Sequence, residues 1–167
     1  KCSSLGNMNT HPKNEKVLII MKPDAIQRNL VGEIIGRFER KGLKINGLKM
    51  ITLEDVLLED HYKHIKDKPF FAGIKSYMKL APVVVMALSG IGAVDAVRII
   101  VGPTKAYEAP AGTIRGDLAM SIQSNVVHAS DSIENGIDEV NRFFGDDELF
   151  SYEKIDQAMV YADHFPA

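Results

Sequence analysis

The chain has 167 residues, 46% of them hydrophobic and 25% charged, with a formal net charge of −2. Such a balance supports one packed domain and excludes a disordered chain, and it leaves no electrostatic case for dedicated nucleic-acid or membrane-surface binding. The lone cysteine, Cys2, cannot form an intramolecular disulfide, and the longest apolar run, residues 82–88, is too short to span a bilayer, so the expected setting is cytoplasmic.

Residues 1–15 are polar and lack an apolar leader core, so they read as a flexible arm or a remnant of expression. A single domain is expected over 16–167. Residues 17–21 are apolar and β-branched and stop at Lys22-Pro23-Asp24, which reads as a buried strand and a turn. Over 32–40, Ile34, Ile35 and Phe38 share one helical face, and Gly42 ends the helix. Residues 43–53 read as a strand with an irregularity near Gly47. Helices are expected over 57–65 and 70–80, separated by Lys68-Pro69, then a strand over 82–88 and a helix over 93–101. Residues 102–113 carry two prolines and two glycines without periodicity, the mark of a long functional loop. A fourth strand over 117–123 and a last long helix over 132–144 complete the order. Four strands with segregated helices predict an α+β fold, a ferredoxin-like four-stranded antiparallel sheet covered by helices.

His128 sits between two apolar residues and the small polar run Ala129-Ser130-Asp131-Ser132, after the expected fourth strand and before a helix. A strand end can hold an imidazole rigidly against a cleft. On this segment alone a half-buried histidine beside a helix cap fits equally well. Lys22, Arg98 and Arg115 each lie near the end of an apolar element, and with Thr104 in the long loop they make a candidate phosphate clamp. His61 and His64, three apart on one helix, would make half a metal site, but no third ligand of suitable spacing follows, and two exposed helix residues is the simpler reading. No G-x-x-x-x-G-K-[ST] is present, and Gly90-Ile91-Gly92 lacks the third glycine of a dinucleotide fingerprint.

Lys22-Pro23-Asp24 with Gln27-Arg28, Arg37-Phe38-Glu39, His61-Tyr62, Pro69-Phe70-Phe71-Ala72-Gly73, the stretch 112–117 and the stretch 125–132 occur in this order over about 16–162. Together they resemble the nucleoside diphosphate kinases. The resemblance implies transfer of a nucleoside triphosphate γ-phosphate to a nucleoside diphosphate, ping-pong, through a phosphohistidine at His128. It implies that Lys22, Arg98, Thr104 and Arg115 hold phosphates and that Lys22 and Asn125 hold the ribose. Phe70 would stack on the base, with Ile122 on its other side, while Tyr62, Ser130 and Glu139 would support the site. Mg²⁺ would arrive on the nucleotide phosphates rather than in a protein cage. The family is homo-oligomeric, and the C-terminal segment 152–162 resembles that of hexameric rather than tetrameric members. Intact His128, Lys22, Arg115 and Asn125 weigh against a catalytically silent binding module. Ala129 and Ala25 replace glycines common in the family, as does Asn29, and Ala129 fits there with a negative φ or an adjusted loop.

Overall fold

The computed structural model describes Asn9 and residues 11–164, so the arm expected over 1–15 lies mostly outside the described residues. β1 (Asn14–Met21), β2 (Lys44–Ile51), β3 (Val83–Ile91) and β4 (Val127–Ala129) form one antiparallel sheet in the order β2-β3-β1-β4. The helices are α1 (Pro23–Gln27), α2 (Val31–Lys41), α3 (Asp55–His61), α4 (Phe71–Met78), α5 (Ala93–Val101), α6 (Ile114–Leu118), α7 (Ile133–Phe143) and α8 (Gln157–Val160).

β1 and β3 are nearly continuous apolar runs because both faces of the sheet are covered. Val17, Ile19 and Met21 point with Met86 and Leu88 toward Ile34, Phe38, Val94 and Val97 on α2 and α5. The alternate residues Leu18 and Ile20 join Val85 and Ala87 against Leu58, Met78, Val140 and Phe143 on α3, α4 and α7. Period-two alternation thus divides one short strand between two cores. The register slips between Ile45 and Gly47, where the sequence marks an irregularity.

The expected strand over 117–123 is not formed. Its first residues belong to α6, where the Thr113 hydroxyl caps the helix by accepting from Gly116 N–H at 3.0 Å. The Asp117 carboxylate also accepts from Gly112 N–H at 2.8 Å. Capping and turn chemistry therefore outweigh a short apolar alternation. The fourth strand is β4, ten residues later, so His128 lies within a strand rather than after one. α1, with Pro23 at its first turn, occupies what reads as a simple turn. Ala129 is not among the residues with positive φ, whereas Asn29 is, at +59°, a conformation asparagine tolerates better than most side chains.

Candidate active site

β4 pairs with the C-terminal end of β1, Ile19 to Met21, with His128 opposite Ile20. Val127 and Ala129 are buried on one side, so the His128 side chain turns to the other, toward α7. There Nε2 lies 3.1 and 3.0 Å from the two carboxylate oxygens of Glu139. The Ser130 hydroxyl donates to Glu139 Oε2 at 2.6 Å and accepts from Leu18 N–H at 3.0 Å, which ties the carboxylate to β1. α7 approaches so closely because residue 136 is glycine: a Cβ there would sit 2.1 Å from the Lys16 carbonyl oxygen. A helix-interior glycine costs about 1 kcal/mol, and it is offset here by bringing Glu139 beside His128.

Burial alone would push the Glu139 carboxyl up, but hydrogen bonds from His128 and Ser130 leave it below its ordinary value. Glu139 is therefore ionised at neutral pH and can only accept, so the ring proton of neutral His128 sits on Nε2. Nδ1 is left with its lone pair. His128, Glu139 and eight of the other nine expected residues open on a cavity of about 740 Å³. Lys22, Arg98, Thr104, Arg115 and Asn125 line it, as do Tyr62, Phe70 and Ile122. Phe70 and Ile122 are largely exposed at 58% and 51%, free to cover a planar ligand. Ser130 alone among the expected residues does not line the cavity; it acts through Glu139.

The cations are braced by the fold. Lys22 Nζ donates to Asn125 Oδ1 at 2.6 Å, and Asn125 Nδ2 donates to the Thr104 carbonyl at 2.9 Å. The buried Arg115 spends three donors on the carbonyls of Asn125, Gly102 and Val127, leaving two of its five for a ligand. Burial, then the charge of Arg98, lowers Arg115 to about 10. Burial, then the charge of Arg115, lowers Lys22 to about 8. If protonated Lys22 is what receives phosphate, kcat/KM should hold up to about pH 8 and then fall roughly tenfold per pH unit, since it reports groups of the free enzyme. Bound phosphates stabilise the ammonium, so kcat should hold to higher pH. A pH profile of kcat/KM with no break near 8 would remove Lys22 from that role.

The segment between Asn125 and His128 is strained. Val126 has φ +60°, rare for a β-branched residue, and Val127 N–H donates back to the Asn125 carbonyl at 2.7 Å. This turn is held from both sides: Val126 N–H donates to Asp24 Oδ2 at 3.2 Å, and Lys22 N–H donates to the Val126 carbonyl at 2.9 Å. Tyr77 donates to the other Asp24 oxygen at 2.5 Å. Asp24 lies in a motif but is given no role by the sequence, and nothing in the sequence marks Tyr77 or Val126, because positive φ at a valine is imposed by tertiary contacts. Asp24→Asn gives up charge-assisted bonds worth roughly 1.5–3 kcal/mol, and kcat should fall about 10–100-fold. Adding Val126→Gly, which adopts φ +60° without strain, should recover part of that loss. Steady-state kcat of the single and double variants decides it; a double variant no faster than Asp24→Asn would refute the bracing.

His61 corrects the sequence reading. It is not an exposed partner of His64 but buried at 6% exposure, its ring edge-on to His128 at 4.6 Å between centroids. Burial, then the nearness of His128, pushes it down to about 3, so it is neutral.

Residues 15–149 match the nucleoside diphosphate kinase family model. The chain belongs to the nucleoside diphosphate kinase family. It is 50% identical to a nucleoside diphosphate kinase of Parabacteroides distasonis over 89% of this chain and 97% of that protein. It is 45% identical to one of Archaeoglobus fulgidus over 89% and 99%. Its fold superimposes on a halophilic nucleoside diphosphate kinase from Halobacterium salinarum in complex with CDP. That match has a TM-score of 0.86 at 39% identity, covering 89% of this chain and 99% of the other. The family is one of enzymes, and its fold is the four-stranded antiparallel α+β sheet described above.

Proposed function

We propose that this chain moves the γ-phosphate of a nucleoside triphosphate onto a nucleoside diphosphate through a phosphate carried on His128 Nδ1. The observation that carries the reading is the couple between His128 Nε2–H and ionised Glu139, which leaves the Nδ1 lone pair beside a cation-lined cavity. The Nδ1–P bond forms as the bond from γ-phosphorus to the bridging oxygen breaks, and the diphosphate departs with that electron pair. A second diphosphate then enters the same cavity and takes the phosphate back from nitrogen. Lys22, Arg98, Thr104 and the two remaining Arg115 donors hold the phosphates, and these cations offset charge gathering on the transferred group.

Mg²⁺ belongs to the substrate in this reading, riding on the phosphates and neutralising part of their charge. The two-nitrogen, one-carboxylate set beside His128 is not the oxygen cage Mg²⁺ demands. Phe70 and Ile122 are placed to sandwich the base, and stacking tolerates every base. A homo-oligomer, hexamer rather than tetramer, fits two observations. Leu48 and Met50 leave an apolar stripe on edge strand β2, and residues 152–161 dock on their own domain through Lys44 and Gly42. A cytoplasmic location is the reading that a single cysteine suits, since a reducing compartment asks for no disulfide. The test is incubation with γ-labelled ATP. An acid-labile, base-stable label mapping to His128 is expected, and a label on any other residue would overturn the assignment.

A further inference from the structure

His61 is a buried imidazole without a hydrogen bond. Its side chain is 2% exposed, and neither Nδ1 nor Nε2 has a hydrogen-bond partner. A buried polar group left in that state costs about 1–3 kcal/mol, and an unmet ligand is one of the recognised reasons for it. Nδ1 points at the carboxylate of Glu139, 3.8 Å from Oε1, while His128 Nε2 stands 3.0 Å from Oε2. One donor atom from each of the three residues lies within 4.8 Å of the others. All three line the 740 Å³ cavity, so an ion has a way in and an open fourth position.

We propose that His61, His128 and Glu139 form a three-ligand site for a borderline divalent transition metal, with Zn²⁺ the best match, and that its occupation switches phosphate transfer off. Two imidazole nitrogens and one carboxylate are the donors Zn²⁺ accepts, whereas Mg²⁺ demands oxygen. Tetrahedral zinc holds its ligands about 3.3 Å apart, so the donors must close by on the order of 1 Å, within reach of side-chain rotation.

The tautomer explains the inhibition. A neutral imidazole carries one ring proton. When Nε2 donates to Glu139 that proton is on Nε2, and Nδ1 is the nucleophile. When Nε2 binds a metal, its lone pair is committed to the ion and the proton must reside on Nδ1. The attacking lone pair is then gone, without any residue being chemically altered. The metal also takes the Glu139 oxygens that orient the ring. This inhibitory step rests on His128 being the phosphorylated residue; metal binding itself does not.

The experiment uses the whole nucleotide-free protein, with Zn²⁺ held at fixed free concentrations by a metal buffer. Affinity is read by competition with a chromophoric chelator. The single-turnover rate of phosphohistidine formation is then compared with and without Zn²⁺ within each protein, so a change in basal rate cancels. Wild type should slow more than tenfold on loading. His61→Phe, which keeps the ring volume without a donor, should bind at least about 100-fold more weakly, more than loss of a supporting partner costs, and lose the inhibition. A fully inhibited His61→Phe would place the ion elsewhere and overturn the proposal. So would wild type that binds no Zn²⁺ at micromolar free concentration. Should His61→Phe fail to fold, zinc X-ray absorption of loaded wild type must show two imidazole ligands. Sulfur or all-oxygen coordination refutes the site. A phosphate label found away from His128 would overturn the proposed function while leaving the binding result standing.

Discussion

His128→Gln should fail to retain phosphate from ATP and should lose about 10⁴-fold or more in kcat, the scale on which removing a covalent nucleophile costs other enzymes. Glutamine fills part of the same space and can still donate an amide proton to Glu139, but its amide nitrogen has no basic lone pair. Lys22, Arg115 and Asn125, the proposed binding residues, are braced by each other and by backbone carbonyls rather than by the His128 side chain, so nucleotide affinity should change by only a few-fold. Glu139→Gln supplies the contrast. It keeps Nδ1 but removes the charge that fixes the ring proton on Nε2, and a loss of about 10–100-fold in kcat is expected, as for other partners that orient a histidine. Single-turnover labelling with ATP and equilibrium binding of ADP measure both variants. Wild-type turnover in His128→Gln, or a Glu139→Gln as dead as His128→Gln, would contradict the division of roles.

β1 is legible as a short continuous apolar run, and the amphipathic α2 and α7 because each obeys one period that tertiary packing reinforces. The side chains that gather at the cavity were legible for a different reason. His128, Lys22, Arg115 and Asn125 occur in short motifs whose residue types are unusual for plain packing. Residues 117–123 were misread because Leu118, Met120 and Ile122 alternate like a strand, while the decisive bonds come from Thr113 and Asp117 to backbone N–H groups. Nothing local marks Val126 for positive φ; the turn exists because Asp24, some hundred residues earlier, accepts its N–H. Gly136 carries no legible role either, as its value is the 2.1 Å that a Cβ would leave to β1. His61 reads as one of a helical pair with His64, yet α3 ends at His61 and the chain tightens into a 3₁₀ turn at residues 63–65. The two histidines then part, and His61 falls inward.

A 3′-deoxynucleoside triphosphate should bind this protein yet phosphorylate His128 about 10²–10³-fold more slowly than the matched 2′-deoxy compound, the range lost with one transition-state hydrogen-bond donor. Lys22 Nζ and Asn125 Oδ1 are 2.6 Å apart at the cavity wall, and Asn125 is fixed by its bond to the Thr104 carbonyl. A hydroxyl placed beside this pair, facing the cavity, would accept from the ammonium and donate elsewhere. The resemblance to nucleoside diphosphate kinases assigns that place to the ribose 3′-hydroxyl, with its proton directed at the oxygen that leaves the γ-phosphorus. Charge on that oxygen grows only as the P–O bond breaks, so the bond strengthens in the transition state and appears in kcat rather than in affinity. No such role in bond breaking falls to the 2′-hydroxyl in this reading, so its loss should change the rate by only a few-fold. The measurement is the maximal single-turnover rate of His128 phosphorylation with the two analogues at saturation. Equal rates would mean that the sugar is only a handle. Lys22 would then serve the phosphates alone, and in that case its break near pH 8 in kcat/KM should persist although the sugar plays no part in catalysis.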